Sequence, residues 1–325
     1  MPVLGVESSA HTLGMSIVDE GRILANEKIM YKIRSGIIPM RVADFHARNS
    51  AVLLKRALRK AHMGIDDIEA IGYTKGPGLG PCLRVGQVIA RTIAVERGLP
   101  LYPVNHAVAH IEVTKHLARF KDPLALYVSG GNSQILAIAG EPFRHYHVYG
   151  ETFDIGVGNM LDSFAREAGL IPAWGTSVEK AALGGSYIEM PYTVKGMDFA
   201  FTGLLTHAAK MLSKNSIKDV AFSLQETAFS MLCEATERAL LLTHKKELVV
   251  SGGVAQSSRL REMLGMVAKE HNVKFYAAPN EFNSDNGAMI AIVAEKMHDF
   301  MDKPGLGECT IEQRYRIDKV KIGWP

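Results

Sequence analysis

The chain has 325 residues, 47% of them hydrophobic and 22% charged, with a formal net charge of +3. It is therefore long enough for two domains, and it lacks the strong positive field typical of many nucleic-acid-binding proteins. Its three cysteines form no C-x-x-C pair, which argues against a disulfide framework or a zinc knuckle. Because no apolar run approaches the roughly 20 residues of a membrane helix and the first residues do not resemble a signal peptide, we expect a cytoplasmic protein with no membrane partner.

The first half of the chain predicts strands that alternate with helices. Strands are expected at residues 3–7, 13–18, 22–30, 68–73 and 99–104, and helices at 41–63, 84–97 and from Asn105 onward. The run Lys75-Gly76-Pro77-Gly78-Leu79-Gly80-Pro81 is expected to be a turn, because so many glycines and prolines exclude both helix and strand.

The second half repeats this order of elements. Strands are expected at 124–128, 133–139, 143–149, 247–250 and 273–277, and helices at 257–271 and 284–300. Such a duplication predicts an α/β fold with largely parallel central strands in each half. We therefore expect an N-terminal lobe at 1–122 and a C-terminal lobe at 123–325, the latter with an insertion at about 150–218.

Two histidines and one aspartate suggest a metal site. His106 and His110 lie four residues apart, so a helix places both on one face, within reach of a single ion. Asp285 occupies the equivalent junction in the second half, and we expect both junctions to face one cleft. Two imidazoles and a carboxylate suit catalytic zinc or non-haem iron. The alternative is a capping His106, a buried His110 and an Asp285 that caps a helix.

Two glycine turns follow apolar strands, Ser129-Gly130-Gly131-Asn132 and Ser251-Gly252-Gly253. Glycine lets the backbone approach a phosphate closely and offer N–H groups to it. The chain has no G-x-x-x-x-G-K-[ST] motif, so it is not a P-loop enzyme. Each turn alone could be an ordinary tight turn, but as a pair in a duplicated fold they resemble the nucleotide cleft of the actin, Hsp70 and sugar kinase superfamily.

Several motifs of the chain jointly match one protein family. They are Lys75 to Pro81, Asn105-His106-Ala107-Val108-Ala109-His110-Ile111-Glu112, Tyr127-Val128-Ser129-Gly130-Gly131-Asn132, Gly150-Glu151-Thr152-Phe153-Asp154-Ile155, Val194-Lys195-Gly196-Met197-Asp198 and Ser284-Asp285-Asn286-Gly287-Ala288-Met289. The chain resembles, over essentially its whole length, the universal tRNA threonylcarbamoyltransferase family. That family includes the catalytic subunit of the archaeal and eukaryotic KEOPS complex and the bacterial TsaD enzyme. The tyrosine at the start of its motif, Tyr127, resembles the archaeal and eukaryotic branch of the family.

The resemblance implies an actin-like ATPase fold with two lobes and a central cleft. It implies an enzyme that transfers the threonylcarbamoyl group from threonylcarbamoyl-AMP to N6 of the adenosine 3′-adjacent to the anticodon, in tRNAs reading codons that begin with adenine. The family's catalytic metal site falls on His106, His110 and Asp285, with Tyr127 as a further ligand in this branch. The expected cofactors are one divalent metal ion, Fe²⁺ or alternatively Zn²⁺, and ATP or threonylcarbamoyl-AMP.

The resemblance also implies nucleotide-binding residues and partners. The nucleotide site falls on Tyr127, Val128, Ser129, Gly130, Gly131, Asp162, Gly175, Glu179 and Ser257. Two departures from the family lie near the expected adenosine end: Ile171-Pro172-Ala173-Trp174 replaces a usual His-Pro-Gly-Gly run, and Ser257 replaces a usual asparagine. The expected partners are tRNA and the KEOPS subunits, namely a small atypical kinase, a dimerising subunit and a kinase-binding subunit.

Three other function classes compete with this hypothesis. A metalloprotease would need H-E-x-x-H, with a general-base glutamate between the histidines, whereas Ala107 follows His106. A sugar or acetate kinase on the same fold usually opens with Asp-x-Gly-Thr, whereas this chain has Glu7-Ser8-Ser9-Ala10. A nucleotide-dependent scaffold of the actin type is the third.

Two groups of basic residues could contact RNA, one on a predicted helix and one near the C-terminus. They are Lys55, Arg56, Arg59 and Lys60, and Arg314, Arg316, Lys319 and Lys321. For either group alone, solvated surface charge is the simpler interpretation. We therefore expect the RNA affinity to depend partly on partner subunits.

Overall fold

The computed structural model describes residues 1–32 and 38–325, which pack into two compact units. Unit 1 comprises Met1–His116, Ala139–Tyr146 and Ser284–Pro325. Unit 2 comprises Leu117–Ile138 and His147–Asn283. This division differs from the expected lobes mainly in Ser284–Pro325, which was expected in the second lobe and packs in unit 1.

Twelve strands and ten α-helices form within the described residues. The strands are β1 (Val3–Glu7), β2 (Thr12–Asp19), β3 (Arg22–Met30), β4 (Ala70–Gly76), β5 (Leu101–Asn105), β6 (Leu124–Val128), β7 (Ser133–Ala139), β8 (His145–Glu151), β9 (Val194–Lys195), β10 (Asp198–Phe199), β11 (Glu247–Ser251) and β12 (Lys274–Ala277). The helices are α1 (Pro39–Ala61), α2 (Gly80–Arg97), α3 (His106–Ala118), α4 (Val157–Glu167), α5 (Gly175–Ala182), α6 (Thr202–Met211), α7 (Ile217–Thr243), α8 (Ser258–Glu270), α9 (Asn280–Asn283) and α10 (Gly287–Phe300). Within the described residues, none of these helices combines the length and the apolar character that a bilayer-spanning helix needs.

Two five-stranded mixed sheets have the same strand order. The order is β3-β2-β1-β4-β5 in the first sheet and β8-β7-β6-β11-β12 in the second. In the first sheet, β1 pairs antiparallel with β2 and parallel with β4. In the second sheet, β6 pairs antiparallel with β7 and parallel with β11. The shared topology confirms the predicted duplication and the predicted α/β class.

Helix α10 covers a face of the first sheet that is lined with glycine. A Cβ atom at Gly5 would lie 2.3 Å from the backbone oxygen of Gly287, and one at Gly72 would lie 2.4 Å from the Cβ atom of Ala294. Because these strand positions have no side chain, the helix backbone can approach the strands closely. This packing places the C-terminal segment in unit 1 and accounts for the difference from the expected lobes.

The glycine- and proline-rich turn is shorter than expected. Strand β4 continues to Gly76 and helix α2 begins at Gly80, so Pro81 lies in the first turn of the helix. Proline is tolerated in a first turn because its missing N–H would have no partner within the helix.

The predicted insertion at about 150–218 is part of the core of unit 2. It contributes α4, α5, α6 and the short hairpin of β9 and β10. Its Phe164, Phe199 and Phe201 are buried in the same hydrophobic cluster as Phe229 of helix α7. Aromatic side chains bury large apolar areas, so this segment stabilises the unit that contains the second glycine turn.

Candidate metal centre and nucleotide-binding residues

Helix α3, which carries both predicted histidine ligands, begins where Asn105 caps it. The side-chain oxygen of Asn105 accepts hydrogen bonds from the backbone N–H groups of Ala107 and Val108, at 2.9 and 3.1 Å. Such a cap satisfies N–H groups that have no partner within the helix. His106 is therefore the first residue of the helix rather than its cap, and His110 follows one turn later on the same face.

The three predicted metal ligands converge within unit 1. The Nε2 atoms of His106 and His110 lie 3.6 and 3.3 Å from Oδ1 of Asp285. One ligand atom from each of the three residues lies within 4.8 Å of the others. Asp285 does not cap helix α10, because Asn286 does so by accepting a hydrogen bond from the N–H group of Met289. All three ligands thus belong to one unit, rather than to two lobes as expected from the duplication.

Glu7 holds His106 through its other ring nitrogen. The fully buried carboxylate accepts a hydrogen bond from Nδ1 of His106 at 3.1 Å. It also accepts hydrogen bonds from the Thr74 hydroxyl at 2.7 Å and from the backbone N–H of Ser9 at 2.6 Å. These contacts orient the ring so that Nε2 faces Asp285. A carboxylate on the far nitrogen of a metal-binding histidine fixes its tautomer and raises its basicity as a ligand.

The buried charges of this cluster shift one another's pKa values. Burial lowers the pKa of His106, but the charge of Glu7 and its hydrogen bond outweigh burial and raise that pKa to about 9. Burial is the main cause that lowers the pKa of His110, against the hydrogen bond with Asp285. Burial raises the pKa of Asp285, but the two imidazoles outweigh it and hold that pKa well below its usual range. The carboxylates of Glu7 and Asp285 thus favour positive charge at His106, and a metal cation can take the place of the proton on its Nε2.

The donor set fits a divalent transition metal. Two imidazole nitrogens and one carboxylate oxygen leave open coordination positions, as in catalytic zinc and non-haem iron sites. The predicted further ligand, Tyr127, belongs to unit 2, where it is buried near the end of β6. Its part in metal binding stays a prediction.

The predicted nucleotide-binding residues all belong to unit 2, and the first group of them surrounds the turn after β6. The N–H group of Gly158, near the start of α4, donates to the carbonyl of Ser129 at 3.2 Å, and that of Asn159 donates to the carbonyl of Gly130 at 3.0 Å. A Cβ atom at Gly158 would lie 2.8 Å from the Ser129 oxygen, so the approach requires glycine. The turn and the N-terminus of α4 therefore form one closely packed set of backbone groups.

The second group of predicted nucleotide-binding residues lies at the ends of α5 and α8 and on α4. Asp162 accepts a hydrogen bond from the N–H group of Gly175, the first residue of α5, at 2.8 Å. Glu179, one turn further along α5, accepts hydrogen bonds from the N–H group and the hydroxyl of Ser258 at 3.0 and 2.6 Å. Ser257 caps α8 through its hydroxyl. Asp162 and Gly175 are thus joined directly, and Glu179 bonds to the residue that follows Ser257. The contact of these four residues with a nucleotide stays a prediction.

Glu7 is the functional candidate to which the sequence reasoning assigned no role. A signal was present, because Glu7 ends a fully buried strand and a buried carboxylate needs a partner. That partner, His106, is 99 residues away along the chain, so no local pattern could identify it.

Comparison with known proteins identifies a family. The family model described as TsaD, tRNA N6-adenosine threonylcarbamoyltransferase, matches residues 21–292. A tRNA N6-adenosine threonylcarbamoyltransferase of Thermococcus sibiricus is 46% identical over 328 residues, which cover 100% of both chains. A probable bifunctional tRNA threonylcarbamoyladenosine biosynthesis protein of Thermoplasma acidophilum is 45% identical over 327 residues, which cover 100% of this chain and 61% of that protein.

A solved structure shares the fold. The activator of the 2-hydroxyisocaproyl-CoA dehydratase from Clostridium difficile, with bound ADPNP, has a TM-score of 0.55 at 11% identity and covers 94% of this chain and 100% of its own. At this identity the likeness concerns the fold alone, and with the twin sheets it confirms the predicted actin-like ATPase fold. The match of the family model over most of the chain and the full-length relative together show that the chain belongs to the tRNA N6-adenosine threonylcarbamoyltransferase family.

Proposed function

We propose that this protein transfers the threonylcarbamoyl group from threonylcarbamoyl-AMP to N6 of the adenosine 3′-adjacent to the anticodon of tRNA. The family match supports this reaction, and the convergence of His106, His110 and Asp285 is the observation that carries its chemistry. In the transfer, N6 forms a bond to the carbamoyl carbon and loses one proton. The bond from that carbon to the phosphate oxygen breaks, and AMP leaves with its electron pair.

We propose that one divalent ion, Fe²⁺ or alternatively Zn²⁺, binds to Nε2 of His106, Nε2 of His110 and Oδ1 of Asp285. When bound, the ion supplies a Lewis acid for the carbonyl group that is attacked. The contribution of the chain itself is positional. Glu7 holds the ring of His106, and the Asn105 cap fixes the first turn of α3. Contacts that fix the ring in this way reduce the reorganisation needed during the reaction.

We further propose that unit 2 binds the adenylate part of the substrate. Glycine turns such as the one after Ser129 offer backbone N–H groups to phosphates. Asp162 and Glu179 are the carboxylates that we propose near the ribose, because carboxylates accept hydrogen bonds from ribose hydroxyls. Both already accept hydrogen bonds from neighbouring residues, at 2.8 Å from Gly175 and at 2.6 Å from Ser258, which supports a fixed orientation.

The partners in this proposal are tRNA and subunits of the KEOPS kind, namely an atypical small kinase, a dimerising subunit and a kinase-binding subunit. This chain covers 61% of the bifunctional relative from Thermoplasma acidophilum, which supports a second functional part beside the transferase. The net charge of only +3 also favours a partner that helps to bind RNA, since phosphate contacts supply most of the non-specific affinity.

The metalloprotease alternative has less support from the residues around the histidines. Glu112, the next acidic residue of α3, accepts hydrogen bonds from the hydroxyl of Tyr146 at 2.6 Å and from Lys296. It is fully buried and lies outside the pair of histidines. A general base of the H-E-x-x-H kind would have to lie between them.

The test of the proposed function is a transfer assay with the metal-loaded full chain. Stoichiometric protein, threonylcarbamoyl-AMP and unmodified tRNA should yield threonylcarbamoyladenosine, detected by mass spectrometry of the digested nucleosides. A tRNA with guanosine in place of the acceptor adenosine is the control and should stay unmodified. If the loaded chain also leaves the adenosine tRNA unmodified, with and without partner subunits, the proposed reaction is wrong.

A further inference from the structure

A C-terminal segment of unit 1, residues 310–322, lies across the carboxyl ends of β4 and β5, and we call it the strap. The N–H group of Glu312 donates to the carbonyl of Lys75 at 2.8 Å. The carbonyl of Tyr315 accepts a hydrogen bond from Nδ2 of Asn105 at 3.0 Å. Since Asn105 directly precedes the first histidine ligand, the strap lies beside the N-terminal turn of helix α3.

The strap combines buried anchors with exposed cations. Ile317 and Ile322 are only 3% and 2% exposed, and they hold the segment to unit 1. The four cations of the strap are all exposed: Arg314, Arg316, Lys319 and Lys321. With only two acidic residues the strap has a net charge of +2, whereas the whole chain has +3. The strap is therefore a segment of net positive charge that contacts Asn105, the residue before helix α3, through Tyr315.

Among the described residues, three of the four strap cations form no ion pair with a carboxylate. Arg316 pairs with Asp318 at 3.0 Å. Among residues 1–32 and 38–325, no carboxylate forms an ion pair with Arg314, Lys319 or Lys321. An unpaired exposed cation can bind a phosphate without first breaking an ion pair, so these three side chains suit a polyanion.

The basic group on helix α1 differs in this respect. Arg56 and Lys60 both form ion pairs with Glu27 of strand β3, Lys60 at 2.9 Å. Two of the four cations of this group are thus ion-paired, against one of four in the strap. The group on α1 offers a matched control, because both groups contain arginine and lysine on the surface of the same unit.

We propose that the strap binds the phosphate backbone of tRNA beside the metal centre, with Arg314, Lys319 and Lys321 as the phosphate contacts. The inference rests on the proposed function, since it takes tRNA as the polyanion. Cations that contact phosphates release counterions, and this release supplies sequence-independent affinity that falls with salt. Contacts beside the N-terminal turn of α3 would bind the RNA where its adenosine must meet the transferred group.

The test compares two triple variants of the metal-loaded full chain, each of which removes one arginine and two lysines. The strap variant is Arg314→Ala/Lys319→Ala/Lys321→Ala, and the control is Arg59→Ala/Lys55→Ala/Lys60→Ala. Binding of tRNA is measured at several salt concentrations. For the strap variant, we expect the plot of the logarithm of the tRNA association constant against the logarithm of the salt concentration to become less steep, by about two to three units of slope. Its affinity for tRNA near 0.1 M salt should fall by at least about 10-fold. The slope for the control variant should differ from that of the unchanged protein by no more than about one.

The outcomes separate this inference from the proposed function. Equal losses in the two triple variants, or unchanged binding by the strap variant, would overturn the inference. Equal metal content in all three proteins shows that weaker binding does not come from misfolding. If tRNA binding depends on the strap but the loaded protein transfers no group, the proposed function fails while the inference stands.

Discussion

The two predicted sites of this chain differ in the groups that form them: one consists of side chains and the other of backbone. The proposed metal centre in unit 1 consists of buried ionisable side chains, with Glu7 fully buried and His110 only 1% exposed. The glycine turns in unit 2 consist of backbone that approaches closely because side chains are absent. A Cβ atom at Gly252, for example, would lie 2.3 Å from the carbonyl of Val128. A site of the first kind fails when a functional group is removed, whereas a site of the second kind fails when an atom is added.

The largest effect is expected from removing a ligand of the metal centre. His110→Ala should lose most of its metal and nearly all transfer activity, because two remaining ligands cannot replace the third donor. The loss of metal affinity should exceed the roughly 10–100-fold that removal of an outer hydrogen-bond partner costs. Elemental analysis of protein purified without chelator or histidine tag measures the metal. His116→Ala is the control on the same helix, since that ring bonds with the carbonyl of Gly21 at 2.8 Å. A full equivalent of metal in His110→Ala would contradict the assignment.

A smaller loss is expected when the outer carboxylate is changed and all three ligands stay. Glu7→Gln keeps the shape of the side chain but weakens the hydrogen bond that orients His106. We expect metal affinity to fall by about 10–100-fold, measured by competition with a chelating dye. Thr74→Val removes a different hydrogen bond to Glu7, of 2.7 Å, and should cost less metal affinity. Equal affinity in Glu7→Gln and the unchanged protein would show that the ring needs no such support.

The backbone site is best probed by adding one methyl group. Gly252 has φ of +95°, and an added Cβ atom would collide with the carbonyl of Val128. We expect Gly252→Ala to lower the free energy of unfolding by at least about 2 kcal/mol, measured by urea denaturation.

At Gly131 nothing lies within 4 Å of an added Cβ atom, so Gly131→Ala should keep the stability of the unchanged protein. If Gly131→Ala nevertheless weakens ATP binding in calorimetry, the turn approaches the nucleotide. Unchanged ATP affinity would count against this turn as a phosphate site.

The smallest effect concerns a carboxylate that is held by backbone donors instead of imidazoles. Burial raises the pKa of Asp154, but the N–H groups of Phe201 and Thr202 outweigh it and lower the pKa to about 2. A lowered pKa means that the stabilisation is present above about pH 4 and is lost as the pH falls toward 2. Because the side chain is exposed, we expect Asp154→Asn to cost only about 1 kcal/mol or less at neutral pH. The urea midpoints of the two proteins should converge between pH 4 and 2. A constant difference across that range would exclude the carboxylate charge as the cause.

The features that the sequence predicted well have local signals. Strands Val3–Glu7 and Arg22–Met30 have the predicted bounds, since apolar runs between turn residues mark both. The four-residue spacing of His106 and His110 placed both on one face, because the helical period is fixed. The repeated order of elements predicted two sheets of one topology, and it needed no residue-level similarity between the halves.

The features that the sequence did not predict depend on contacts between distant segments. The hydrogen bond between Glu7 and His106 joins residues 99 apart, and Asp285 lies 175 residues from His110. Chain order alone assigned Asp285 to a second lobe, whereas packing of α10 against glycine-lined strands decides its unit. The strap was visible in the sequence only as a basic group, because nothing local shows that Tyr315 contacts Asn105, the residue before the first proposed ligand.

The packing of α10 on the first sheet also determines when unit 1 can finish folding during synthesis. The glycine-lined strands leave the ribosome early, but the helix that covers them begins only at Gly287. At about 5–20 residues per second, the sheet that is complete with β5 waits roughly 10 to 40 s for this helix. During that time the histidine pair exists without its aspartate, and an apolar sheet face is uncovered. We therefore expect unit 2 to reach its folded state first, although its residues are translated in the middle of the chain.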